Sequence, residues 1–447
     1  MNIQPLDAAH ESLRASVDTN DAALRAKIAR RILPFLFICY VVSFIDRINI
    51  GFAKLQMQQA IGLSEAAFGL AAGLFFVGYL VFEVPSNIML ARSGARLTMT
   101  RIMVLWGLVT IGTGFVRNES DFIWARFLLG VFEAGFYPGM ILYLTFWIPP
   151  HERAKALASL ITATAVAGLV GGPLSSLIMQ RMEGLGALHG WQWMFIVEGA
   201  AAVLLGLMAF WYLDDKPRDA QWLTEDERRR TERDAAERTG VHASRASAWA
   251  GVLKPKVFLL SFCCFTIMCG AYALSFWIPS IIRAAGVSDV LHVGLLSAIP
   301  YAVGVVCMIL ISRHSDRKLE RRWHFAMCAA VGGAAMMLLP SVQDNLNASI
   351  VILSIAVGTI FCGSPIFWTM PTSILPKESA PVGLALINSL AITGGMVGPY
   401  ITGWSKTATG SFGAALYVIG GLLFCGALAA LLFITPAELG TAKGEYA

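Results

Sequence analysis

Apolar residues run along this chain in blocks of 18 or more, separated by short polar interruptions. A hydrocarbon layer of ~30 Å is crossed by a helix of about 20 such residues, so each block predicts a membrane span. The blocks fall at 32–53, 68–91, 99–117, 121–148, 154–181 and 191–213. A second set follows at 257–283, 290–312, 323–341, 348–370, 380–405 and 412–434. The expected fold is an all-α polytopic membrane protein, its twelve transmembrane helices arranged as six, a linker and six. An N-terminal tail (1–31), the linker (214–256) and a C-terminal tail (435–447) complete the division. Within the linker, Thr224 is followed three residues later by Glu227, the spacing of a capping box, which predicts a short surface helix there.

The two sets of six resemble each other at an offset of 226 residues. Pro150-His151-Glu152-Arg153-Ala154 corresponds to Pro376-Lys377-Glu378-Ser379-Ala380, and Gly168-x-x-x-Gly172-Pro173 to Gly394-x-x-x-Gly398-Pro399. Repeated halves with a central site near the midplane are characteristic of secondary transporters. The glycines allow close helix approach, and Pro173 and Pro399 mark places where the helices can bend or break.

The chain is 56% hydrophobic and only 14% charged, against about 25% charged in a soluble domain. Basic residues sit in the N-terminal tail (Arg25, Lys27, Arg30, Arg31), after the second block (Arg92, Arg96) and after the eighth (Arg317, Lys318, Arg321, Arg322). Basic loops stay inside, so both termini are expected in the cytoplasm of a cell whose inner membrane holds the protein. The net charge of +5 reflects that bias and implies no nucleic acid. The polar first 31 residues carry no expected cleaved signal peptide. All eight cysteines lie in apolar blocks without a CxxC pair and read as small buried hydrophobes. No metal or organic cofactor is expected, and a monomer is.

Six charges lie well inside the blocks: Asp46, Glu83, Glu133, Glu198, Arg47 and Arg126. All belong to the first half; at the repeat offset Arg126 becomes Ile352, Glu133 becomes Thr359 and Asp46 becomes Tyr272. A charge at the bilayer centre costs at least ~2.5 kcal/mol and normally faces a cavity or a partner. Neighbours on a helix point about 100° apart, so one of Asp46 and Arg47 can face a partner helix while the other faces a central space. Glu133 lies seven residues from Arg126, about 10 Å along the axis on nearly the same face. Arg126 is placed to reach an acid on the first span or an anion in the cavity. Glu133 sits near the midplane, where a carboxyl is costly to ionise, which suits a proton carrier. The seven histidines lie in tails, loops or span ends, leaving proton work to carboxylates. Glu83 reads as structural beside Pro85 and Asn87, and Glu198 has no assigned role. Tyr79, Tyr272, Trp368 and Asn388 are candidates for cavity lining.

The chain resembles the major facilitator superfamily and, within it, the anion:cation symporter family. The resemblance rests on Phe44-Ile45-Asp46-Arg47-Ile48-Asn49-Ile50-Gly51, Phe76-Val77-Gly78-Tyr79, Glu83-Val84-Pro85-Ser86-Asn87 and Arg126 through Gly135. It continues in Gly190-Trp191-Gln192-Trp193, Ser275-Phe276-Trp277-Ile278-Pro279, His314-Ser315-Asp316-Arg317 and Ala385-Leu386-Ile387-Asn388-Ser389. It implies two pseudo-symmetric bundles, alternating access and proton-driven uptake of organic anions. Carried onto this chain, Arg47 binds a substrate carboxylate, Asp46 and Glu133 carry coupling protons, Arg126 exchanges partners, and Tyr79 and Asn388 line the site. Two departures stand out. Sugar-acid members often have tyrosine just before the Asp-Arg pair, where this chain has Phe44 and Ile45, which leans toward tartrate or aromatic acids. The loop Ala91–Arg96 lacks the superfamily's acidic residue.

The expected function is a proton-coupled symporter importing a small organic anion. An anion exchanger or exporter on the same scaffold is the alternative. A non-transporting membrane sensor is a further alternative, although it would usually need a sizeable soluble output domain; an enzyme would require a nucleophile or metal set in the spans, which contain none.

Overall fold

The computed structural model describes residues 4–236, 254–375 and 380–439. Part of the linker, the repeat segment Pro376–Ser379 and the end of the C-terminal tail lie outside the described residues. Among those described there are helices and no strands. Twelve helices are long and apolar enough to cross a membrane: Asp21–Ala60, Glu65–Leu90, Ala95–Thr113, Glu119–Trp147, Lys155–Arg181, Gly190–Tyr212, Pro255–Ala284, Val290–Lys318, Arg322–Val342, Leu346–Ile374, Val382–Thr409 and Gly413–Phe433. They are called spans 1 to 12. With six spans on either side, the linker and both tails share one end of the bundle, the linker end. The loops after odd-numbered spans mark the far end.

Local chemistry sets several of the turns. Spans 2, 4, 8 and 10 start at the far end behind Ser64, Asn118, Asp289 and Asn345, whose side chains accept from the backbone N–H three residues on. Such caps satisfy donors that the first helical turn leaves free. The linker helix forms at Glu225–Ala236 as its capping box predicts. Thr224 N donates to Glu227 Oε2 (2.8 Å) and Glu227 N to Thr224 Oγ1 (3.3 Å).

Packing repeats with the sequence. Span 3 packs on span 6 as span 9 does on span 12, and span 2 on span 4 as span 8 does on span 10. Across the halves, span 5 meets span 8 and span 11 meets span 2, the same relation used twice. Gly130 shows how close the helices come: a Cβ there would stand 2.0 Å from the Phe75 carbonyl oxygen on span 2.

Three expectations change. Of the bend or break expected at Pro173 and Pro399, the break is absent, since the helices are continuous through both; inside a packed bundle the single lost hydrogen bond is tolerated. The breaks fall instead at Asn49 in span 1 and at Ala134–Gly135 in span 4, where Gly135 takes φ 87° in the left-handed region. Span 1 also extends to Ala60, well past residue 53, and so takes in Lys54, which is buried.

Lys54 helps to hold the halves together at the far end. Its ammonium pairs with Glu65 of span 2 (2.5 Å), donates to Ser280 Oγ of span 7 (3.0 Å) and lies 3.7 Å from the Trp277 ring centroid. Arg283 of span 7 donates to the Leu55 carbonyl, Gln180 donates to Asp289, and Gly172 faces Gly294. Toward the linker end, the polar contact across the halves among the described residues is Asn388 Nδ2 donating to Glu83 Oε1 (3.3 Å). The far end is thus the sealed one. Lys54→Ala should loosen it: a cysteine at position 280 should react with a hydrophilic maleimide several-fold faster in that background. An equal rate would mean that Lys54 contributes nothing to the seal.

Candidate functional site

Between the halves lies a cavity of about 140 Å³. Arg47, Tyr79, Tyr272, Trp368 and Asn388, the five residues set aside from the sequence for a substrate, all line it. Tyr40, Phe44, Tyr137, Thr164, Ser275 and Ser364 line it too. Tyr40 and Tyr137 stack with centroids 5.4 Å apart. Arg47 is the one charged residue among the described lining residues. Its guanidinium Nη2 pairs with Glu133 Oε1, Nη1 donates to the Tyr272 hydroxyl (3.1 Å), and Nε has no partner. The Phe75 and Tyr79 rings stand 5.1 and 5.6 Å from the guanidinium carbon, close enough for a cation–π contribution.

One residue back along the helix, Asp46 points the other way, into the first half. Its Oδ2 accepts from Thr110 Oγ1 (2.8 Å) and its Oδ1 from Asn49 Nδ2 (3.4 Å). The adjacent charges therefore divide as the helical step requires, Arg47 to the cavity and Asp46 to span 3. Glu133, fully buried, lies behind the cavity wall. Its Oε1 also accepts from Ser43 Oγ (2.7 Å), while Oε2 has no partner.

Of the two acceptors expected for Arg126, an acid on span 1 or an anion in the cavity, Asp46 of span 1 acts on it electrostatically, as does Glu133, without a direct contact. Arg126 is 1% exposed, and among the described residues it forms no hydrogen bond or ion pair, its Nε and Nη2 being unpartnered. Its guanidinium carbon lies 5.0 Å from the Phe75 ring centroid. Other groups already hold the nearby acids: Thr110 and Asn49 take Asp46, and Arg47 takes Glu133. A buried guanidinium without a hydrogen-bonded acid is costly, and Asp46 and Glu133 are the acids whose charge acts on Arg126. Glu83 gains a contact that the sequence did not suggest, since Asn388 donates to it across the halves.

Sequence reasoning missed Tyr40, Tyr137, Thr110, Asn49 and Lys54. Tyr40 and Phe44 were within reach, because spacings of seven and three before Arg47 put them on its helix face. Thr110 carried no local signal.

The family model of the Major Facilitator Superfamily matches residues 36–399. An Agrobacterium vitis protein that bears the name of a tartrate transporter is 42% identical over 93% of this chain and 93% of its own length. A quinolone resistance transporter from Acinetobacter baumannii is 36% identical over 93% of this chain and 95% of its own. Among solved structures, a bacterial homologue of the human lysosomal transporter Spinster, in an inward-facing and unoccupied conformation, superposes with a TM-score of 0.70. It shares 18% identity over 93% of this chain and 96% of its own, so the likeness is one of fold.

Proposed function

The chain belongs to the Major Facilitator Superfamily, a multi-pass membrane transporter and not an enzyme; from that premise we propose that it imports a small organic anion together with protons. The observation that carries this reading is Arg47, the charged lining residue, whose partner is the carboxylate of Glu133. A substrate carboxylate can replace that partner with a bidentate, charge-assisted contact. A proton on Glu133 removes the competing anion and frees the guanidinium. Proton and anion then promote each other's binding, which is the thermodynamic content of symport.

Asp46 takes a second proton in this scheme, and Arg126 supplies the cation to which an acid or the substrate moves between states. Tyr79, Tyr272, Trp368 and Asn388 hold the body of the substrate. Alternating access breaks the far-end contacts around Lys54 and closes the linker end, where Glu83 and Asn388 already touch. The protein works as a monomer in the inner membrane, with both termini cytoplasmic.

The aromatic lining and the relative named for tartrate support a compact carboxylate, tartrate-like or aromatic. The relative named for quinolone resistance supports a second reading, export of an organic anion through the same cavity. Uptake of labelled mono- and dicarboxylates, sugar acids and aromatic acids into proteoliposomes tests the substrate class, and accumulation with the inside alkaline rather than acid separates import with protons from export against them. The proposal expects inward transport of one such acid, competed by other carboxylates. Transport confined to neutral or cationic solutes would overturn it.

A further inference from the structure

Behind Asp46, a polar assembly whose other members have no part in the proposed symport lies inside the first half, between spans 1, 3, 5 and 6. Its centre is Glu198, 5% exposed. Glu198 Oε1 accepts from Ser175 Oγ (2.6 Å) and Oε2 from Asn49 Nδ2 (2.8 Å). The same Asn49 amide faces Asp46 at 3.4 Å, and the far oxygen of Asp46 accepts from Thr110. Two buried carboxyls therefore share one amide, and each has a hydroxyl at its other oxygen. Among the described residues no cation contacts Glu198. Spans 1, 3 and 5 pack against its helix, and the titratable group they set against it is Asp46. Arg126 and Glu133 act on Asp46 from span 4.

This set of partners fits a change of protonation. An amide NH2 has two hydrogens and can serve one oxygen of each carboxyl, while a hydroxyl either donates to a carboxylate or accepts from a carboxylic acid. Ser175 and Thr110 can thus satisfy either form. Two buried negative charges joined through one amide cost more than one, because Arg126 acts on Asp46 but no cation among the described residues contacts Glu198.

We propose that Glu198 is a further proton-binding carboxyl, coupled to Asp46 through the Asn49 amide, so that the charge on one governs the charge on the other. No proton passes through the amide; the link is the shared donor and the like-charge repulsion. Asn49 stands at the break of span 1, directly before the piece Ile50–Ala60 that carries Lys54. Movement of that piece when the far end opens shifts the amide between the two acids, tying the proton pair to the gate. The proposal rests on the symport reading.

The test is the pH profile of gradient-driven uptake in proteoliposomes, normalised to substrate exchange measured at equal pH on both sides. Glu198→Gln removes a negative charge beside Asp46, so Asp46 should give up its proton more readily. The half-maximal pH should move in the acid direction by at least about 0.5 unit. Ser175→Ala, which leaves Glu198 short of a donor when charged, should shift the profile the same way by less. A wild-type profile in both variants overturns the proposal, whether or not total transport falls. A wild type blind to pH overturns the symport reading and this proposal with it; a responsive wild type with unshifted variants overturns this proposal alone.

Discussion

Arg47→Ala is expected to abolish substrate binding. The side chain is the charged lining residue of the cavity and already holds a carboxylate. Losing a buried, charge-assisted pair costs about 3–5 kcal/mol, which corresponds to at least about 100-fold in affinity. The same change strands Glu133 as an unpaired buried acid, so a loss of folded protein must be separated from a loss of binding. Arg47→Lys does that. It keeps the charge opposite Glu133 but not the planar fork that engages a carboxylate through two parallel hydrogen bonds. The lysine variant should purify normally and bind at least tenfold more weakly by calorimetry or thermal shift. Wild-type affinity in both variants would remove Arg47 from the substrate site.

Glu133→Gln should split transport into its parts. Glutamine keeps the shape of the side chain and can accept from Ser43, but it carries neither a charge nor an exchangeable acid proton. Arg47 is then permanently free of its competitor. Substrate binding should persist or tighten and lose the part of its pH dependence that Glu133 contributes. Accumulation driven by a pH gradient should fall well below the wild-type level, while exchange of internal for external substrate continues. Accumulation at the wild-type level would show that Glu133 carries no coupling proton.

The repeat, the count of spans and the linker helix were legible because each rests on a local pattern: apolar length, a fixed offset and a capping box. The division of Asp46 from Arg47 was legible from the 100° step of a helix, and five lining residues from polar or aromatic character at mid-span. What stayed hidden depends on the azimuth of one helix against another. Depth along an axis put Arg126 and Glu133 in the right neighbourhood but could not say that Arg47 would hold Glu133, leaving Arg126 without a hydrogen-bonded acid among the described residues. Lys54 was missed because Lys54, Gln56, Gln58 and Gln59 together read as a chain leaving the membrane. Its burial comes from Phe68 and Trp277 on two other spans. The breaks at Asn49 and Gly135 were obscured by the more familiar signal of proline.

Symport requires that a proton gradient drive the anion through this cavity. The most direct measurement is uptake of a transported carboxylate into proteoliposomes with the inside alkaline and the membrane potential clamped at zero. Accumulation above the external concentration is expected, collapsing when a protonophore removes the pH gradient. Uptake that only equilibrates, or that is unchanged by the protonophore, would contradict it.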